Sequence, residues 1–301
     1  MAMSLDSTRL FLGQRPNNML CDGLFIRAEA GTITAIMGPA GAGKSVLLEI
    51  LGAYLRPTRG TVYFDGVDLH ANYKTIRRQI GFVPQADVMI PELTVADSLD
   101  YRLRLHERLP REQRQQEIER VCASLGFGEK LQKILHQRIG SPEWRGDYPS
   151  GGERRRINIA HELIGKPSVL FLDEPTSGLS TVDAEKVMTT LRSLADDCEL
   201  MILMTIHQPS RELFQQMNDL LLIYRGKPAY YGDAAFAVEY FQQNSNIRLT
   251  ADQNPAEFVL DFVRDEELGE AAVKEFEGNL ARSDVRLKLP LPGSANATGG
   301  P

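Results

Sequence analysis

The chain has 301 residues, 43% apolar and 25% charged, an ordinary globular balance that excludes a disordered or collagen-like chain. Its 34 basic side chains face 40 acidic ones, a net of -6, which argues against gripping a nucleic-acid backbone as its main work. Cys21, Cys122 and Cys198 are odd in number and widely spaced, so they form neither a disulfide framework nor a metal-ligand cluster, and a reducing compartment follows.

The longest apolar runs, such as Leu200–Thr205 and Leu220–Tyr224, are strand-sized and far short of the roughly 20 residues a membrane helix needs. The amino terminus, with Asp6 and Arg9, lacks a secretory pattern. A soluble chain in the cytosol is the expectation.

Taken in chain order, residues 24 to 52 read strand, glycine-rich turn, helix. Thr32–Met37 is β-branched and apolar, Gly38–Ser45 turns, and Val46, Leu47, Leu48, Ile50 and Leu51 carry helical spacing. A strand at Gly60–Phe64 ends in an Asp65-Gly66 turn, and a short apolar run Ile80–Pro84 precedes Gln85. Residues 94 to 126 are predicted helical throughout, with Thr94 as N-cap and the Arg, Glu and Gln of 107–120 as a solvated face. A helix opens near Ser150, with Arg154–Arg156 expected as a solvated face of it. Then come a buried strand at Val169–Asp173, a helix near 183–195, and strands at Leu200–Thr205 and Leu220–Tyr224. Buried strands alternating with helices predict a parallel sheet covered on both faces. Helices follow at about 233–244 and 255–263, with a polar helical stretch to about 282. Pro290–Pro301 has linker composition, and the Asn296-Ala297-Thr298 and Arg145-Gly146-Asp147 triplets read as accidental matches to short motifs.

The chemistry begins at Gly38-Pro39-Ala40-Gly41-Ala42-Gly43-Lys44-Ser45, which fits the G-x4-GK[ST] phosphate loop in its required place between strand and helix. Glycines let successive N–H groups point at phosphate oxygens, and the helix adds its positive end. Lys44 is expected to reach the β- and γ-phosphates and Ser45 to ligate Mg2+. Downstream, Val169–Leu172 is an apolar strand ending in Asp173-Glu174. Asp173 is suited to hold Mg2+ at the sheet edge, and Glu174 to polarise an attacking water.

Three further pieces follow: Ser150-Gly151-Gly152-Glu153 opening a helix, His207 closing the strand Leu200–Ile206, and Gln85. In this order the set resembles the ATP-binding cassette (ABC) family over about residues 10 to 262: Walker A, Q-loop, signature, Walker B and switch histidine. The sequences SGGERRR (150–156), DEPTSGL (173–179), TIHQPS (205–210), GKPAYYG (226–232) and NPAEF (254–258) resemble the G, or eye-pigment and multidrug, subfamily.

The resemblance implies an α/β fold: a P-loop NTPase core with an amino-terminal antiparallel β portion. It implies one ATP-binding domain over residues 1–285, a helical subdomain at about 86–165, and a flexible 286–301. It also implies that Gly38 through Val46, with Gln85 and Ser150 to Glu153, bind ATP. Ser45, Gln85 and Asp173 would meet Mg2+. Lys44, Glu174 and His207 would be catalytic, with Glu174 as base and His207 on the γ-phosphate. Two cassettes would face head to tail, each lending its signature to the ATP of the other. The second partner would be a transmembrane permease, placing the chain at the cytoplasmic face of a membrane with no nucleic acid bound.

Two departures from the family pattern stand out. Pro149 replaces the usual Leu or Val before the signature serine, and Ser180 takes the place of the D-loop aspartate in Ser177-Gly178-Leu179-Ser180. Phe11 is the candidate to stack on adenine, with core packing as its alternative. The alternatives to a transport ATPase are a weakly hydrolysing regulatory cassette of a heterodimer, favoured by Ser180 and Pro149, and a soluble ATPase of translation or DNA repair. The second is opposed by the single cassette without sustained heptads.

Overall fold

The structure is a computed structural model and describes residues 3–13, 19–140 and 146–282. The 286–301 segment, the 296–298 triplet and Arg145 lie outside the described residues.

Strands β1 (Ser4–Ser7), β2 (Leu10–Gly13), β3 (Met19–Leu24) and β4 (Arg27–Glu29) open the chain, and β5 (Ile33–Met37) leads through the phosphate loop into α1 (Lys44–Leu51). Then come β6 (Val62–Phe64), β7 (Val67–Asp68), α2 (Tyr73–Ile76) and β8 (Ile80–Val83). Helices α3 (Val95–His106), α4 (Arg111–Ser124), α5 (Leu131–His136) and α6 (Gly151–Leu163) follow without an intervening strand. The chain then alternates through β9 (Val169–Leu172), α7 (Thr181–Cys198), β10 (Met201–Thr205), α8 (Arg211–Phe214), β11 (Asp219–Tyr224) and β12 (Lys227–Asp233). It closes with α9 (Ala237–Gln243), α10 (Pro255–Arg264) and α11 (Glu266–Arg282).

The main sheet has the order β12-β11-β5-β10-β9-β8. Neighbours from β11 to β8 are parallel, and every residue of β5, β9, β10 and β11 is buried. That is the signature of strands covered on both faces, as their unbroken apolar runs predict. The amino-terminal β portion is antiparallel, with a four-stranded sheet β4-β1-β6-β7 and a β2-β3 pair.

This topology aligns the chemistry. The phosphate loop leaves the carboxyl end of β5, His207 follows β10, Asp173 follows β9, and Gln85 follows β8. These four strands are consecutive in the sheet, so all four motifs emerge along one edge, where α/β sheets bind ligands.

Several boundaries differ from expectation. The stretch 94–126 is two helices, because Pro110 has no N–H to donate and forces its predecessor out of helical geometry. Thr94 does cap the first, its hydroxyl accepting from the Asp97 N–H. The strand expected from Gly60 begins at Val62, since Gly60 sits at φ +98 against the Arg9 carbonyl. The sheet carries an antiparallel edge, β12, joined to β11 by a two-residue hairpin at Arg225-Gly226 with φ 45° and 79°. Two consecutive positive φ values match the twist of a tight hairpin.

Candidate active site at the carboxyl edge of the sheet

The phosphate loop is closed by packing that only glycine permits. A Cβ on Gly38 would stand 2.4 Å from the Ile223 carbonyl oxygen, and one on Gly43 would stand 2.4 Å from that of Leu20. Gly43 is also the residue before α1, at φ 100°, so the helix starts directly from the loop. Lys44 is 7% exposed and its Nζ donates to the carbonyls of Gly38 and Pro39, both at 3.0 Å. Burial holds its ammonium below the usual lysine range, against the raising pull of Glu174 and Asp173.

A chain of hydrogen bonds connects the motifs. The hydroxyls of Ser45 and Thr205 both donate to Asp173 Oδ1, at 3.0 and 2.5 Å. The Glu174 N–H donates to Thr205 Oγ1 at 2.8 Å, and Gln85 Nε2 donates to Glu174 Oε2 at 2.8 Å. Glu174 itself sits at φ 46°, a left-handed conformation that costs a non-glycine residue about 1 kcal/mol or more. His207 is exposed at the end of β10.

Ser150 opens α6 with a capping box. Its hydroxyl accepts from the Glu153 N–H, and Glu153 Oε2 accepts from the Ser150 N–H at 2.8 Å. Gly152 faces Asp183 of α7 so closely that a Cβ would meet that side chain at 2.8 Å. Gln85, Gly151, Glu174 and Gly178 line one cavity of about 530 Å3, with Arg154 and Arg155 in its wall. Lys44, Ser45, Gln85, Asp173 and Glu174 are therefore brought together, whereas Ser150 and Glu153 bond to each other.

The solvated face expected for Arg154–Arg156 is not what the structure holds. Arg155 is 6% exposed and donates to the carbonyls of Pro84 at 2.7 Å, Gln85 at 3.3 Å and Asp173 at 2.6 Å. Burial pulls its guanidinium below the usual range, opposed by Asp87, Asp173 and Glu174. Arg154 pairs with Asp87 and reaches the carbonyls of Ile139 and Gly140. Arg156 lies over the Phe127 ring, its guanidinium carbon 4.6 Å from the ring centre. The missed signal was helical spacing: Arg155 stands four residues before buried Ile159 and three after buried Gly152. Thr205, also missed, is a hydroxyl in an otherwise apolar strand.

Phe11 lies on β2 with the Arg59 guanidinium 4.5 Å from its ring centre. Pro149 is buried just ahead of the α6 cap, and Ser180 caps α7 by accepting from the Asp183 N–H. Among the described residues, no helix is long and apolar enough to cross a membrane.

The family described as ABC transporter matches residues 21–177. ABC transporter G family member 26 of Arabidopsis thaliana is 40% identical over 236 residues, covering 77% of this chain and 33% of that protein. The ABC transporter ATP-binding/permease protein Rv1747 of Mycobacterium tuberculosis is 40% identical, over 71% of this chain and 23% of its own. The chain thus spans about a third of the length of the G-family relatives it matches. Among solved structures, cbiO1 of Clostridium perfringens, part of the ABC transporter complex cbiONQ, superposes with TM-score 0.69 at 21% identity, over 83% of this chain and 96% of that one. The ATP-binding cassette MJ0796, in a dimeric post-hydrolysis state bound to ADP and Pi, gives TM-score 0.64 at 22% identity, over 76% and 98%. At these identities the likeness shows the fold.

Proposed function

Because the chain belongs to the ABC transporter family, we propose that it binds and hydrolyses Mg2+-ATP as one half of a head-to-tail cassette dimer. Closing and reopening of that dimer would drive a permease at the cytoplasmic face of a membrane. The observation that carries this reading is the hydrogen-bonded chain Ser45–Asp173–Thr205–Glu174–Gln85 at the sheet edge beside buried Lys44.

The residues present fit the metal. The Ser45 hydroxyl and the Asp173 carboxylate, 3.0 Å apart, are hard oxygen donors of the kind Mg2+ takes. Ser45, Asp173 and Gln85 would hold it, and when bound it neutralises charge on the phosphate oxygens. Lys44 would exchange its two loop carbonyls for phosphate oxygens, at little cost because its partners are already oxygen acceptors. The backbone of Gly38 to Val46, in the loop and the first turn of α1, would bind the remaining phosphate oxygens through every N–H but that of Pro39, which has none.

Glu174 would take a proton from the attacking water, with Gln85 holding its carboxylate in place. His207 would bind the γ-phosphate. Ser150, Gly151 and Gly152 would contact the ATP of the partner cassette, and Glu153 would keep the Ser150 amide aligned through the capping box. Residues 1–285 act as one ATP-binding unit on this reading, with α3 to α6 as its helical part. A weakly hydrolysing cassette paired with a catalytic sister is the second reading, favoured by Ser180 in the D-loop.

The test is Mg2+-dependent ATP hydrolysis across protein concentration, beside Glu174→Gln. A rate per chain that climbs with concentration and vanishes in the variant supports the catalytic dimer. ATP binding without turnover supports the second reading.

A further inference from the structure

The segment Asn254-Pro255-Ala256-Glu257-Phe258 has no place in the chemistry described above, yet its first residue touches the turn that carries His207. Asn254 makes two hydrogen bonds in different directions. Its Oδ1 accepts from the Ala256 N–H at 3.0 Å, capping α10 with Pro255 at the first helical position. Its Nδ2 donates to the Pro209 carbonyl at 2.8 Å, two residues beyond His207.

The turn itself needs such a hold. It leaves β10 through Ile206, whose N–H donates to the Ile36 carbonyl at 3.1 Å, and so its start is tied to the strand that ends in the phosphate loop. Gln208 then takes a left-handed φ of 49°. Ser210 caps α8, and Arg211 donates to the carbonyls of Ala251 and Gln253 at 3.1 and 2.8 Å. His207 is exposed, and among the described residues no hydrogen bond holds its ring. The backbone, fastened by β10 on one side and by residues 251–254 on the other, sets where the His207 Cα–Cβ bond points and which rotamers reach the sheet edge.

We propose that Asn254 is a positioning residue for His207: its Nδ2–H···O bond to Pro209 fixes the turn that aims the imidazole along the sheet edge. The inference rests on the reading that His207 meets the γ-phosphate. It deepens that reading by making the start of α10 part of the hydrolytic machinery. The bond is specific in chemistry, since a residue here must accept from Ala256 and also donate to Pro209, which an amide does and a carboxylate does not.

Asn254→Asp keeps an N-cap acceptor for Ala256 and loses the donor to Pro209, while Asn254→Ser keeps the acceptor on a side chain that ends one atom short of the Nδ2 position. Two readouts on the full chain decide the matter. In a 1H–13C spectrum of histidine-labelled protein the five imidazoles are few enough to separate, and His207→Gln identifies the signal of His207. With Asn254→Ser, which adds no charge, that signal is expected to shift or broaden while those of His70, His106, His136 and His161 stay in place. ATP turnover is expected to fall about tenfold at unchanged KM, the pattern of a displaced catalytic group.

An unmoved His207 signal would overturn the proposal, as would a moved signal with parental kcat. Equal movement of all five signals would reduce Asn254 to a general structural role and overturn it too. If the parent chain shows no turnover, the hydrolytic reading fails separately, and the spectrum alone still judges whether Asn254 sets the His207 turn.

Discussion

Single residues carry most of the chemistry here, and their neighbours say what each replacement does. Lys44→Ala removes a buried ammonium that caps two loop carbonyls, and is expected to abolish ATP binding. Titration with a fluorescent nucleotide checks it, and an affinity equal to the parent's would refute the phosphate-loop assignment. Arg155 supports three carbonyls at once, those of the Q-loop and of Asp173. Its replacement by Ala strands buried acceptors and should cost about 2–4 kcal/mol in urea unfolding, with kcat falling more than ATP affinity. Arg155→Lys should recover part of the stability, since one ammonium cannot serve three separated carbonyls. Ser180→Asp restores the family's D-loop aspartate and is expected to raise turnover. It also sets a carboxylate beside Asp183 Oδ2, which now accepts from the Ser180 hydroxyl at 2.9 Å. A flat or lower rate would show that the serine is no defect.

Elements explain why α6 is more than a scaffold for the signature. Its amino end presents Ser150, its first turns hold Arg155 under the Q-loop, and its last turn packs half-buried His161 and Glu162 against α3. His161 Nε2 lies 3.1 Å from Ser98 Oγ, and burial, with Arg102 nearby, pulls the imidazole down to about 4. The folded ring is therefore neutral, whereas the unfolded chain takes up a proton below the ordinary value of 6.5. Its contribution is complete above pH 6.5 and is lost as pH falls toward 4, in total about 3 kcal/mol. His106, also lowered by burial, adds in the same sense. Glu162, raised by burial against the pull of Arg102, acts oppositely near the carboxylate range. Unfolding free energies at pH 7.5 and 5 should differ accordingly, and His161→Gln should flatten the difference. A parental slope in that variant would remove His161 as the cause.

At the scale of the whole molecule, the proposed dimer rests on how the motifs sit along one edge. Gln85, Glu174 and Gly151 line a shared cavity, but the signature bonds among its own residues and not to the phosphate loop of the same chain. In the proposed head-to-tail dimer, a second cassette would place its signature over that loop. Glu174→Gln is therefore expected to keep ATP affinity, stop turnover and sediment as a dimer with ATP. A monomer at every ATP and protein concentration would sink the sandwich, and a parental rate would sink Glu174 as the base.

Much of this was legible without coordinates. The phosphate loop, the Asp173-Glu174 pair, Gln85, the signature and His207 are local patterns, and strand-sized apolar runs between helical ones predict a buried parallel sheet. Local chemistry also set the caps at Thr94, Ser150 and Ser180. Tertiary structure alone decided what depends on strand order and on which face a side chain turns. It placed β5, β10, β9 and β8 side by side, so that motifs over a hundred residues apart share one edge. It split 94–126 at Pro110, added β12, and buried Arg155 where its charge pattern suggested solvent. It also brought Thr205 between Asp173 and Glu174, and Asn254 under Pro209. The physical reason is common to all of these. A hydrogen bond across the sheet or between distant turns leaves no periodicity in the chain, because its two partners are joined only by the packing of everything between them.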